Sequence, residues 1–132
     1  KLWGYTNVVR LGAEHLSDDG NIVLVSGAPA RRAKPGQAAI ASVGGAVEQF
    51  VRAVTAELAP KRINVVSPGV IDTPMFGNDA DARAKMLGGA TAKNLVPRAG
   101  TPEEVAEGIM FVVKNGFVTG TTIDVDGGWI LS

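Results

Sequence analysis

The segment Pro68-Gly69-Val70-Ile71-Asp72-Thr73-Pro74 carries the most suggestive chemistry in the chain. It follows Arg62 to Ser67, an apolar run that reads as a buried strand, so it stands at a strand's carboxyl end. Glycine there lets backbone approach a ligand closely, and Thr73 offers a hydroxyl beside loop amides free to donate. The competing reading is an ordinary turn in which Thr73 acts as a cap. Arg31, Arg32 and Lys34 cluster after another strand, and suit either an anionic substrate or a solvated loop. Asp124 and Asp126 lack supporting ligands and read as strand-face and turn residues, so no metal site is expected. His15 lies near a helix end, where a cation is mildly favoured. Gly-Gly pairs occur at 44, 88 and 127. None follows a strand and opens a helix as G-x-G-x-x-G, so no phosphate-cradling loop is present.

Composition narrows the function classes. The chain has 132 residues, with 13 Lys+Arg against 13 Asp+Glu, one His and no Cys. One domain is the expectation at that length. Zero net charge argues against a nucleic-acid or anionic-membrane binder, which needs a basic surplus. The lack of Cys excludes a disulfide framework, a zinc finger and a thiol nucleophile. No apolar run approaches about 18 residues, so no membrane span is expected. With no signal peptide visible, a cytoplasmic protein is the expectation.

The elements that must position these residues follow from periodicity. Leu2, Tyr5, Val9 and Leu16 recur at helical spacing, giving a first helix to about Leu16, stopped by Ser17-Asp18-Asp19-Gly20, with Gly20 suited to a left-handed conformation. Asn21 to Ser26 is apolar without alternation, the pattern of a strand covered on both faces in a parallel sheet. A long helix spans about Gln37 to Leu58, with Ile40, Val43, Val47, Phe50 or Val51, Val54 and Leu58 on one stripe. Gly44-Gly45 interrupts it at about 1 kcal/mol per glycine, which implies close approach of another helix or a strand.

Arg62 to Ser67 and Thr121 to Val125 read as two further strands. Residues 77–93 are rich in Ala, Gly, Asp and Asn, with helical character only from Ala80 to Leu87, and should bury little. Thr101-Pro102-Glu103-Glu104 predicts a capping box opening a helix to about Lys114, with Val105, Ile109, Val112 and Val113 inside. Strands joined by helical crossovers give an α/β fold, a Rossmann-type doubly wound parallel sheet, with ligands at the strands' carboxyl ends. The first strand would have an open apolar edge, an aggregation hazard unless covered. Lys1 leads directly into a helical pattern. Residues 1–132 are therefore expected to be the C-terminal part of one such domain, lacking an N-terminal half of roughly 100 residues.

The chain resembles the C-terminal half of a short-chain dehydrogenase/reductase. Gly20 to Ser26 resembles the strand leading to that family's catalytic serine. Gly45-Ala-Val-Glu-Gln-Phe50 and Thr55-Ala-Glu-Leu-Ala-Pro60 resemble its long active-site helix. Arg62 to Gly69, followed by Ile71-Asp-Thr-Pro-Met75, is the most specific piece. Arg98 to Ala106 and Thr119 to Gly128 resemble the closing helix and last strand. The resemblance implies NAD or NADP, hydride transfer at a small-molecule carbonyl or alcohol, and a homodimer or homotetramer formed through the first two helices. It also implies that Pro68, Gly69, Val70, Ile71 and Thr73 contact the nicotinamide end of the cofactor.

The departures concern catalysis. The family uses Asn, Ser, Tyr and Lys; Tyr exchanges the substrate proton, and Lys lowers its pKa and holds the ribose. Matching Gly45-Ala-Val-Glu48 places Ile40 at the Tyr position and Gly44 at the Lys position. Gly27 falls at the Ser position and Lys1 near the Asn position. The expectation is an oxidoreductase with a degenerate active site, in which Ser26 or Lys1 are the remaining catalytic candidates. The alternative is a non-catalytic dinucleotide-binding or assembly-forming homologue.

Overall fold

A computed structural model describes residues 1–132. The three β-branched runs become β1 (Asn21–Val25), β2 (Arg62–Pro68) and β3 (Thr122–Val125), paired in parallel in the order β1-β2-β3. Leu24 lies opposite Val65, and Val66 opposite Ile123. β2 is the central strand. Ile63 to Ser67 are all fully buried, because helices cover both faces, and so the sequence shows no alternation there.

One face carries α1 (Leu2–Gly12) and α2 (Ala38–Leu58). Val9, Val47 and Val51 from these helices pack with Leu24, Ile63 and Val65. Each such buried aliphatic side chain contributes about 1.5–3 kcal/mol. That outweighs the helix-propensity cost of the two glycines in α2. The other face carries α4 (Pro102–Lys114), where Val112 is fully buried. Arg62 reaches the end of α4 and donates to the carbonyls of Val112, Asn115 and Val118, satisfying acceptors that a helix terminus leaves open. The predicted capping box is present. Thr101 Oγ1 accepts from the Glu104 N–H at 3.3 Å, and Glu104 Oε2 accepts from the Thr101 N–H at 2.9 Å.

Several expectations are corrected. The first α-helix stops at Gly12 and continues as a 3-10 turn over Ala13–His15. Gly20 does not adopt positive φ; it closes a turn by donating to Ser17 O at 2.9 Å. Thr121 precedes β3 instead of belonging to it. Ile40 does not join the α2 stripe but is 61% exposed, and Val113 of α4 is also exposed. The segment after β2 is more ordered than its composition suggests. It forms a 3-10 turn (Pro74–Phe76) and α3 (Ala80–Thr91), capped by the Asp79 carboxylate. Leu87, Thr91 and Asn94 are buried there.

The reason for Gly44 also differs from the expected helix or strand contact. A Cβ there would lie 2.9 Å from the Ala30 Cβ, so glycine admits the 3-10 turn Ala28–Ala30 of the β1–α2 connection.

Candidate functional site

β2 delivers Pro68 and Gly69 to the carboxyl edge of the sheet, where the loop is fixed by its own backbone. The Gly69 N–H donates to Val125 O at 3.0 Å, Asp72 N–H to Gly100 O at 2.9 Å, and Gly100 N–H to Val70 O at 2.9 Å. The N–H groups of Val70, Ile71 and Thr73 make no such bond. Thr73 does not cap the 3-10 turn that follows it, which removes the capping explanation for its presence. Val70 and Ile71 line a cavity of about 450 Å³ with Val125, Asp126 and Gly127 from the end of β3. Fixed, unspent N–H donors beside a cavity suit a carbonyl or carboxamide oxygen.

Gly69 is also required by packing within the chain. An added Cβ would meet Asp126 Cα at 2.7 Å and Asp126 O at 2.8 Å. Asp126 is the expected turn residue; its carboxylate accepts from the N–H groups of Gly128 and Ile130.

The end of β1 brings both catalytic candidates together. Lys1 Nζ donates to Ser26 O at 3.1 Å, and the Tyr5 hydroxyl donates to Val25 O at 3.4 Å. Partial burial pushes the Lys1 ammonium below the usual lysine pKa. The Ser26 hydroxyl turns inward and donates to Glu48 Oε1 at 2.8 Å, with both residues buried. Arg31 Nε stands 3.4 Å from Glu48 Oε2, and its guanidinium forms a two-pronged pair with Asp124. Ser26 is thus committed to a buried network, while Lys1 points its charge at the strand end.

Of the three loop cations only Arg31 is neutralised by carboxylates. Arg31 ties β1's loop to β3 through Asp124, which the sequence left without a partner. Arg32 Nη1 donates to Trp129 O at 2.7 Å and to Ser132 Oγ at 2.9 Å. Lys34 Nζ lies 3.9 Å from the centre of the Trp129 ring, a cation–π distance. His15 pairs only with its neighbour Glu14, both well exposed. No group of three or more Asp, Glu, His or Cys residues is placed to hold a metal.

Glu48 and Asn94 were missed in the sequence. Glu48 had a signal, since it is an acid set between Val47 and Val51 on the apolar stripe of α2. Asn94 had none, because its burial comes from contacts remote in sequence.

Known proteins give this geometry a context. A short-chain dehydrogenase/reductase of Stachybotrys chlorohalonatus is 39% identical over 111 residues, covering 84% of this chain and 44% of the relative. Cyclopentanol dehydrogenase of Comamonas testosteroni is 41% identical over 116 residues, covering 83% of this chain and 45% of its own length. The sequence model of a family described as enoyl-(acyl carrier protein) reductase matches residues 1–130. The chain belongs to the short-chain dehydrogenase/reductase family. A solved short-chain dehydrogenase/reductase relative, described as a small-chain dehydrogenase in complex with NADPH, superposes with a TM-score of 0.93 at 34% identity. It is matched over 100% of this chain and 61% of its own. The chain spans about half the length of the curated relatives it matches.

In this family frame Ile40 and Gly44 lie on the first turns of α2. Gly44 is walled by Ala30, so a longer side chain has no room there without displacing the loop. Gly27 has room, since a Cβ would make only ordinary contact with Pro29 and Pro68 O, at 3.7 and 3.9 Å.

Proposed function

We propose that this chain is part of an NAD- or NADP-binding oxidoreductase whose ordinary Tyr–Lys proton relay is missing. The observation that carries the cofactor reading is the pair of unspent N–H groups at Val70 and Ile71, which line the cavity, with that of Thr73 next along the same loop. These residues would hold the nicotinamide carboxamide, with Pro68 and Gly69 setting the loop's path. A bound nicotinamide cofactor supplies or accepts the hydride. The relative bound to NADPH supports this reading. The sheet order leaves the outer edge of β1 unpaired, and further strands of a dinucleotide-binding fold would pair there.

The catalytic part rests on chemistry at three positions. Reducing a carbonyl develops an alkoxide that needs a donor within about 2.6–3.2 Å. Ile40 offers only apolar surface, and neither Gly44 nor Gly27 has a side chain. Of the remaining groups, the Ser26 hydroxyl is spent on Glu48. The Lys1 ammonium spends one of its three protons on Ser26 O and keeps the others at the end of β1, and its lowered pKa eases proton release. We therefore assign small-molecule carbonyls or alcohols as substrates, turned over slowly, with Lys1 as the residual proton donor. The second reading, a non-catalytic dinucleotide binder or assembly partner, is favoured by the wall that Ala30 builds at Gly44.

Two measurements test the proposal. Calorimetric titration with NADH and NADPH should show binding; absence of both would remove the cofactor reading. Turnover of a carbonyl panel by wild type and Lys1→Ala then separates the readings. Slow turnover lost in Lys1→Ala supports catalysis through Lys1, and binding without turnover supports the second reading.

A further inference from the structure

A second cavity, of about 420 Å³, lies away from the Val70–Thr73 loop. Its walls come from three segments, each following the carboxyl end of a strand: the β1–α2 loop, the end of α3, and the turn after β3. Ligands of open α/β sheets gather on that side. Eleven residues line it, and none carries a carboxylate side chain. Three carry positive charge: Arg32, Lys34 and Lys93.

None of these three cations has an acidic partner. Arg31, Arg83 and Arg98 are each neutralised by carboxylates. Arg32 meets only neutral oxygens, those of Trp129 and Ser132. Those two bonds hold the guanidinium, and Trp129 Nε1 donates back to the Arg32 backbone carbonyl at 3.2 Å. Lys34 meets only the Trp129 ring, and its backbone N–H is fixed by Gln37 Oε1 at 2.7 Å. Lys93 forms no ion pair. Asn94 lines the same cavity, is only 9% exposed, and its side-chain amide has no hydrogen-bond partner within the chain. The amide is therefore free to donate to a molecule in the cavity. A concave site lined by one sign of charge concentrates ions of the opposite sign.

We propose that this cavity binds the anionic group of a small organic molecule, a phosphate monoester or a carboxylate. Lys93 and Lys34 supply charge, and the Asn94 amide donates a directional hydrogen bond. Arg32 braces the wall and adds to the field. The proposal does not depend on hydride transfer, since no residue of the Val70–Thr73 loop takes part.

The test is calorimetric titration of the full protein with phenyl phosphate, benzoate and the neutral benzyl alcohol at fixed salt. Saturable binding of at least one of the anions and none of benzyl alcohol is expected. Tighter binding of phenyl phosphate identifies a phosphate site, and tighter benzoate a carboxylate site. Lys93→Ala and Lys34→Ala should each weaken binding about fivefold, the value of one charge at contact distance in water. Lys93→Glu should weaken it further, while Lys114→Ala, on α4, should change nothing. Circular dichroism confirms that each variant is folded. Failure of both anions to saturate at millimolar concentration, equal binding of the neutral analogue, or equal losses in Lys114→Ala and Lys93→Ala would each overturn the proposal.

Discussion

The Ser26 hydroxyl donates to the Glu48 carboxylate at 2.8 Å, and both residues are buried at the carboxyl end of β1. This contact joins the strand to α2, and Arg31 extends it to Asp124 on β3. Removing one partner of a buried pair leaves a charge without compensation, typically at about 3–5 kcal/mol. Arg31 and Asp124 are each about 30% exposed, so solvent screens part of that cost. Arg31→Ala should destabilise the fold by about 2 kcal/mol in urea unfolding. Glu48→Gln should cost less, because Ser26 can still donate to the amide oxygen. A loss in Arg31→Ala below about 0.5 kcal/mol, the level of an ordinary surface change, would show that the network does not hold the loop.

The Thr73 hydroxyl makes no hydrogen bond within the chain, although its carbonyl accepts from the Phe76 N–H. Thr73→Ala should therefore leave thermal stability within about 0.5 kcal/mol of wild type. It should weaken NAD(H) or NADP(H) binding roughly three- to tenfold, the worth of one hydrogen bond. Calorimetry against unfolding data separates the two effects. Unchanged affinity would take Thr73 out of the cofactor site.

Restoring the family's lysine should be harmful by itself. Gly44→Lys drives a Cβ to 2.9 Å from the Ala30 Cβ, and overpacking of this kind costs about 1–3 kcal/mol. Ile40→Tyr sits on an exposed position and should cost little. The pair of variants, compared by thermal unfolding, tests whether the Ala28–Ala30 turn limits the side chain at position 44.

Lys1 sets a pH signature for any carbonyl reduction. A proton donor must be charged, so turnover should persist at low pH and fall as pH rises through the Lys1 pKa. Burial places that pKa below the usual lysine range. A rate that has not fallen by the time pH reaches the usual lysine range would exclude Lys1 as the donor. Wild-type turnover near 1–10 s⁻¹, the ordinary enzyme range, would show that the relay is not degenerate.

Glu104 predicts acid sensitivity at the start of α4. The Arg98 guanidinium and the Thr101 N–H hold its carboxyl down to about 2. A depressed folded pKa contributes stability above the unfolded value of about 4.3. That contribution is lost as pH falls from there toward 2. Melting temperature followed over this window should drop more steeply in wild type than in Glu104→Gln. Parallel curves would show that the pair adds nothing.

Trp3 is 82% exposed on α1, beside exposed Val8 and Leu11. We propose that this face meets its copy in a homodimer or homotetramer, since large apolar patches mark interfaces. The Gly44–Gly45 pair is turned toward Ala30 within the chain, so it is not the contact. Trp3→Glu should shift sedimentation toward monomer without lowering stability. A wild-type monomer at micromolar concentration would refute the interface.

The parallel sheet, the long helix α2 and the capping box of α4 were written in the sequence. Burial on two faces demands unbroken runs such as Ile63 to Val66, and a helix start demands local donors and acceptors such as Thr101 and Glu104. These are short-range constraints, so sequence spacing reports them. That Ile40, Gly44 and Gly27 offer no proton donor was equally plain, because it depends only on side-chain identity. The tertiary structure alone decided the rest. Gly69 faces Asp126, Gly44 faces Ala30, and Arg31 reaches Asp124, ninety-three residues away. Each depends on where two remote backbones cross, and that is set by the packing of helices against the sheet. The same holds for Ser26, whose hydroxyl looked available until α2 brought Glu48 against it. The sequence listed the donors; the fold determined which of them had already been spent.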